Sequence, residues 1–329
     1  MTLTPTSEDP ARELRQLVEA GRYREALDAH QRVGGAHGLR PEIELLAATA
    51  ATRLGELSQG LTFAESALER FRAHADADGR MRSMNLLGAI AFEHGRLEDA
   101  ERCFGDALEL ARLLEDTRMA AHASNNLASV AYLRNRPEAA LSLYRTALMA
   151  YLRLGDRRGT AQTYHNLGLA FRHRQDFEDA DAAALQAVRH ADELGDRGLM
   201  VLAISGRAEI HIDRGELDLA RQELLRAEQL ATENADEIGL AEVRRLGALI
   251  ALRLEKHQAA ADLALAGLAV AVKLGIPQLR GECASVAAVA LRRLGRTTEA
   301  DTLSQEAREL FEKLGAEGWS ERLERQLGS

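Results

Sequence analysis

Three stretches of the chain carry side-chain amides in one phase: MNLLGAIAF from Met84, SNNLASVAY from Ser124 and YHNLGLAF from Tyr164. An asparagine amide holds both a hydrogen-bond donor and an acceptor, so a row of them can pair with the N–H and C=O groups of an extended peptide whatever its side chains are. The polar and flanking residues of that row are Asn85, Asn125, Asn126, Ser129, Tyr132, His165, Asn166, Leu169 and Arg172. Asparagine is also a mediocre helix former, which makes its repeated use on one face less expected from propensity alone. A second use stays open, in which the amides bond neighbouring helices and fix their stacking, since buried polar groups must find partners. Phe92 and Tyr132 share one place in adjacent stretches and suit either an apolar pocket for a ligand side chain or plain interhelix packing.

Other chemistry has weaker support. Arg244, Arg245, Arg253, Arg292 and Arg293 gather late in the chain. Of these, Arg245, Arg253, Arg292 and Arg293 form a candidate secondary basic patch for a carboxylate or acidic peptide, against the alternative of solvated helix surface. His122, His165 and His173 show no pair at i, i+4 with an accompanying carboxylate, so no metal site is expected. Neither Cys103 nor Cys283 has a histidine at matching helical phase, and no phosphate-binding loop, nucleophile elbow or dinucleotide fingerprint occurs. The expectation is a non-enzyme without a cofactor.

These residues must be positioned by something, and a forty-residue beat supplies it. Alanine stands at 100, 140, 180, 220, 260 and 300; a second beat runs through Ala67, Ala107, Ala147, Ala187, Ala227, Gly267 and Ala307; a third runs through Ala48, Gly88, Ala128, Gly168, Ala208, Ala248 and Ala288. Two helices joined by a short turn approach closely only where neither carries a bulky side chain, so each repeat reads as an antiparallel pair of helices, A and B. The turn between them falls at Gly55, Gly95, Asn135, Gln175, Gly215, Glu255 and Gly295, places suited to left-handed backbone. Helix B ends on a leucine followed by Gly155, Gly195, Gly275 or Gly315, and Asp116, Asp156, Asp196 and Asp236 stand ready to cap the next helix A. The repeats are 7–40, 41–80, 81–120, 121–160, 161–200, 201–240, 241–280 and 281–320, after a disordered 1–6. Trp319, Leu323 and Leu327 form an apolar stripe for a C-terminal capping helix that ends at 321–329.

Laid out this way, the chain resembles the tetratricopeptide repeats: Leu87, Gly88, Gly95, Ala100, Phe104 and Ala107 follow that family's pattern in one repeat, and Leu167, Gly168, Ala180 and Ala187 in another. The family's large aromatic at the fourth place is absent from most repeats, and its helix-ending proline gives way to an extended helix B closed by Gly-Asp. Extended repeats of this length are similar to those of kinesin light chains, spindle adaptors and many bacterial regulators. The resemblance implies an all-α, right-handed α-solenoid of about eight helix pairs plus the capping helix. It also implies that the fifth, sixth, ninth and twelfth places of helix A look onto a concave, protein- or peptide-binding groove. Two functions follow from it: a free-standing adaptor or scaffold, or a sensor module of a bacterial signalling or transcription-control system working with a separate effector. A purely structural assembly protein is a third reading.

A net charge of -9 counts against a nucleic-acid footprint. The opening MTLTPTSEDPARELRQ lacks the basic and apolar regions of a secretory signal. The apolar run 263–272 is shorter than a bilayer-spanning helix, so no membrane partner is expected. Two thiols placed five repeats apart fit a reducing compartment, and the expected location is the cytoplasm. Residues 259–274 have almost no polar face; burial by neighbouring repeats is favoured over a convex contact with another chain, which leaves a homodimer through the C-terminal repeats open.

Overall fold

The computed structural model describes residues 9–33 and 40–316, and these residues form sixteen α-helices and no strand. Contacts divide the chain into two compact bodies, Met1–Leu127 and Ala128–Ser329, with the boundary inside one helix. In the N-terminal body α1 (Pro10–Glu19) pairs with α2 (Tyr23–Val33), α3 (Pro41–Arg53) with α4 (Leu57–Ala73), and α5 (Ala77–Glu93) with α6 (Leu97–Leu113). Helix α7 (Thr117–Leu133) carries the boundary. The C-terminal body holds α8 (Pro137–Leu154), α9 (Arg157–His173), α10 (Phe177–Leu194), α11 (Arg197–Arg214) and α12 (Leu217–Glu233). It continues with α13 (Glu237–Arg253), α14 (His257–Leu274), α15 (Pro277–Arg293) and α16 (Thr297–Lys313). Odd-numbered helices are the A helices and even-numbered ones the B helices. Each A helix of the C-terminal body from α9 to α13 packs on its own B partner and on the next A helix, and α15 packs on α16, so the A helices α9, α11, α13 and α15 form one continuous layer there.

The small-residue beats sit where helices cross. Ala100, Ala140, Ala180, Ala220, Ala260 and Ala300 are fully buried, as are the alanines of the other two beats. Some places admit no side chain at all. A Cβ on Gly88 would stand 2.6 Å from the Phe104 ring, and one on Gly159 would stand 2.6 Å from the Tyr151 ring.

Helix ends follow local chemistry. The carboxylates of Asp116, Asp156, Asp196 and Asp236 accept hydrogen bonds from Met119, Gly159, Leu199 and Gly239 backbone N–H groups at 2.9–3.0 Å, and Asp76 caps α5 in the same way. All seven A–B turn residues named from the sequence have positive φ, including Asn135, Gln175 and Glu255, which lack glycine's freedom. Ala75, Glu115 and Ala235 adopt the same left-handed conformation where other repeats place glycine after helix B.

Two expectations change. Helix α14 is not buried more deeply than its counterparts: Ala260, Ala261, Ala264, Gly267 and Ala271 pack inward, while Ala259, Ala266, Ala269 and Val272 face outward. Its polar face is missing because alanine replaces charge on the outer side. Counted over its whole length, His257–Leu274 is also long and apolar enough to cross a membrane by length and composition, although its small-residue side is packed between α13 and α15. Residues 1–6 and the capping stripe of Trp319, Leu323 and Leu327 lie outside the described residues.

Candidate functional site

In the N-terminal body the asparagine row is joined by its own side chains. The Asn126 amide N–H on α7 donates to the Asn85 oxygen on α5 at 3.2 Å. The stacking use of the amides is therefore real for this pair, and it consumes one donor and one acceptor. Both residues stay half-buried, as do Asn125 and Phe92.

In the C-terminal body the predicted row turns inward. Ser129 shares a hydrogen bond with the Tyr144 hydroxyl on α8 at 3.0 Å. His165 on α9 is buried, and its ring occupies the space that glycine leaves at Gly206 on α11, where a Cβ would stand 2.7 Å from Cε1. Burial pushes its pKa down to about 4, against a weaker opposing pull from Glu209, so the imidazole is neutral at pH 7. Asn166 and Leu169 are half-buried on the same helix.

Tyr132 and Arg172 belong to a different structure from the one their places suggested. The Tyr132 phenol lies within electrostatic reach of the Arg172 guanidinium, and its ring stands edge-on to His173 at 5.7 Å. The phenol's pKa is raised, first of all by burial. Tyr132 thus borders a charged chain while its ring packs against the apolar cluster of Leu141, Leu167 and Phe171. Arg172 Nη1 lies 2.5 Å from Glu209 on α11, with Asp213 at 3.8 Å from Nε. Glu209 also faces Arg245 on α13 at 3.3 Å, and Arg245 meets Glu242 at 2.5 Å and Glu282 on α15 at 3.1 Å. Arg172, Glu209, Arg245 and Glu282 are only 4–6% exposed. Charges alternate across four A helices at the twelfth, ninth, fifth and second places of successive repeats. Each step moves back three or four residues, one helical turn, so the same face is presented each time.

The secondary basic patch dissolves on inspection of its partners. Arg245 is buried in the chain just described, Arg253 reaches Asp213 at 3.8 Å, and Arg292 pairs with Asp301 at 2.5 Å; Arg293 is exposed. Three of the four cations already hold carboxylates, which removes the positive field an acidic ligand would need. The acidic members, Glu209, Asp213, Glu242 and Glu282, were missed by sequence reasoning. One signal was available: Glu209 stands between Ala208 and Ile210 at the ninth place of its repeat, on the face that the sequence assigns to the inner side of helix A.

The thiols offer little nucleophilic character. Cys283 is buried and its pKa is pushed up to about 12, mainly by burial; Cys103 is half-buried and raised for the same first cause.

Comparison with known proteins places this geometry. The tetratricopeptide repeat model matches residues 39–112 and 118–193. Regulatory protein AfsR of Streptomyces griseus is 28% identical over 260 residues, covering 78% of this chain; the chain spans about a quarter of that protein's length. Among solved structures, a Rap protein complexed with Competence and Sporulation Factor superposes with a TM-score of 0.79 at 14% identity, over 94% of this chain and 88% of that one. NprR in complex with its cognate peptide NprX gives 0.68 at 14% identity, over 98% of each chain. Aspartyl phosphate phosphatase F from Bacillus subtilis gives 0.59 at 14% identity, over 99% of this chain and 96% of that one. At such identities these structures share a fold. With helix pairs, left-handed turns and small-residue crossings in one register along the chain, residues 39–112 and 118–193 are matched as tetratricopeptide repeats.

Proposed function

We propose that this chain is a non-catalytic module that binds an extended peptide or protein segment on the inner faces of its A helices. The observation that carries the reading is the Asn126–Asn85 pair: the two amides bond each other, yet both remain half-buried, with the Asn126 oxygen and the Asn85 NH2 unspent. An extended backbone supplies the matching donor and acceptor. The complexes of Rap with Competence and Sporulation Factor and of NprR with NprX support a peptide ligand for this fold. The phosphatase of the same fold leaves catalysis to be judged from the residues, and neither thiol is activated for it. We place the module in a reducing compartment such as the cytoplasm, in keeping with two free thiols.

Within that reading, the likeness to regulatory protein AfsR favours a sensor or regulatory role over a passive scaffold. Its effector would be another part of a larger protein or a separate chain. The test is selection of a displayed library of unstructured peptides on the wild-type protein, followed by affinity measurement. Selected peptides should bind Asn85→Ala/Asn126→Ala at least about tenfold more weakly, the loss of one or two hydrogen bonds. Equal affinity with intact helicity would rule the amide pair out as the ligand contact.

A further inference from the structure

The guanidinium of Arg245 is crowded by more carboxylates than it can serve. Glu242, three residues earlier on α13, takes it in a two-pronged pair, accepting from Nε at 2.9 Å and from Nη2 at 2.5 Å. Glu209 approaches from α11 at 3.3 Å while also holding Arg172. Glu282 then arrives from α15, 3.1 Å from an Nε already committed to Glu242. Its remaining support is the Gln278 amide, which donates to it at 3.0 Å from the preceding turn of its own helix. Across the whole cluster, Arg172, Arg245 and Arg253 face Glu209, Asp213, Glu242 and Glu282, one anion more than its cations, and Arg253 lies at the exposed edge.

We infer that Glu282 is a proton-operated latch between α13 and α15. Carrying a proton, it is a neutral donor toward the carboxylates that ring Arg245 and it docks α15 on α13. When the proton leaves to solvent, a third carboxylate competes for one guanidinium, and α15 loosens from the A-helix layer. The groups that face Glu282 are Arg245 and Glu242 from α13, Glu209 from α11, and Gln278 and Cys283 from α15 itself, with Tyr132 of α7 within electrostatic reach. Arg280 of α15 itself pairs with Glu306 of α16 at 2.6 Å, and Lys273 of α14 pairs with Glu237 of α13 at 2.7 Å. The carboxyl's proton affinity agrees with the geometry. Burial raises its pKa to about 7, with Glu242 and Glu209 adding to the rise and Arg245 opposing it.

The sign of the effect follows from proton linkage. An acid whose pKa is raised in the docked state stabilises docking fully at low pH and loses that stabilisation as pH climbs from the ordinary carboxylate range to about 7. Opening of α15 should increase about tenfold per pH unit across that window and level off above it. The experiment is amide hydrogen exchange of the full chain at pH 5, 6, 7 and 8, corrected for intrinsic exchange and read on α15 peptides. The latch predicts a steep loss of protection between pH 5 and 7 in the wild type. It predicts a flat profile for Glu282→Gln, held at the wild type's acidic level of protection. A flat wild-type profile, or the same slope in Glu282→Gln, overturns it. If Glu282→Gln does not fold, Glu242→Gln serves instead: removing one crowding carboxylate should move the upper end of the window below pH 7, and an unmoved window overturns the latch.

Discussion

At the scale of single residues, the C-terminal body is held by a buried ion chain whose members depend on one another. Such a chain adds little net stability relative to an apolar core, yet removal of one member strands its partners. Glu209 is the member whose loss costs most, because Arg172 and Arg245 both lean on it. Glu209→Ala should lower the unfolding free energy by about 3–5 kcal/mol, measured by urea denaturation. A change below about 1 kcal/mol would mean that water reaches the pair. His165 makes a separate prediction. With its pKa depressed to about 4, the ring favours folding fully above its ordinary value, and that stabilisation is lost as pH falls toward 4. Nuclear magnetic resonance titration of the His165 Cε1 proton should show no transition above pH 5, and a midpoint near 6.5 would place the ring in solvent. Its titration therefore opposes that of Glu282 over much of the acidic range. Residue types alone suggested a ligand contact at His165 and Arg172; what they touch assigns both to the interior.

Elements tell a different story, because their limits are written in local sequence. Aspartate before helix A, glycine after helix B and small residues at the crossings were each legible, and the structure places caps, left-handed turns and buried contacts at those positions. Where a repeat lacks its glycine, the backbone still takes the left-handed turn and bears the strain, as at Ala235, with φ of 51°. Ala235→Gly should stabilise the chain by about 1 kcal/mol through relief of that conformation, offset in part by glycine's greater freedom when unfolded. A higher midpoint in thermal unfolding is the expected reading, and a lower one would show that the turn is not strained. Helix α14 marks the limit of such reading. Periodicity reports which residues are apolar, and an alanine-rich surface carries no period that separates inside from outside.

For the whole molecule, a repeat array transmits damage only to its neighbours, since each helix pair is stabilised by the pairs beside it. Glu209→Ala should therefore raise amide exchange in α9, α11, α13 and α15 while α1 to α4 of the N-terminal body keep their protection. Uniform loss throughout the chain would show that the two bodies unfold as one. Fold class, repeat length and helix limits were decided by the sequence itself, because capping, turn conformation and small-residue crossings act over a few residues and repeat on a fixed beat. The fate of the polar row was decided by tertiary structure. Asn85 meets Asn126 across 41 residues, and Arg245 meets Glu209 across 36. No local pattern says whether an amide or a guanidinium on an inner helix face will find its partner in a ligand or in the next helix. That choice rests on the depth to which each A helix packs on the next, and on which opposite charge the following repeat brings within reach.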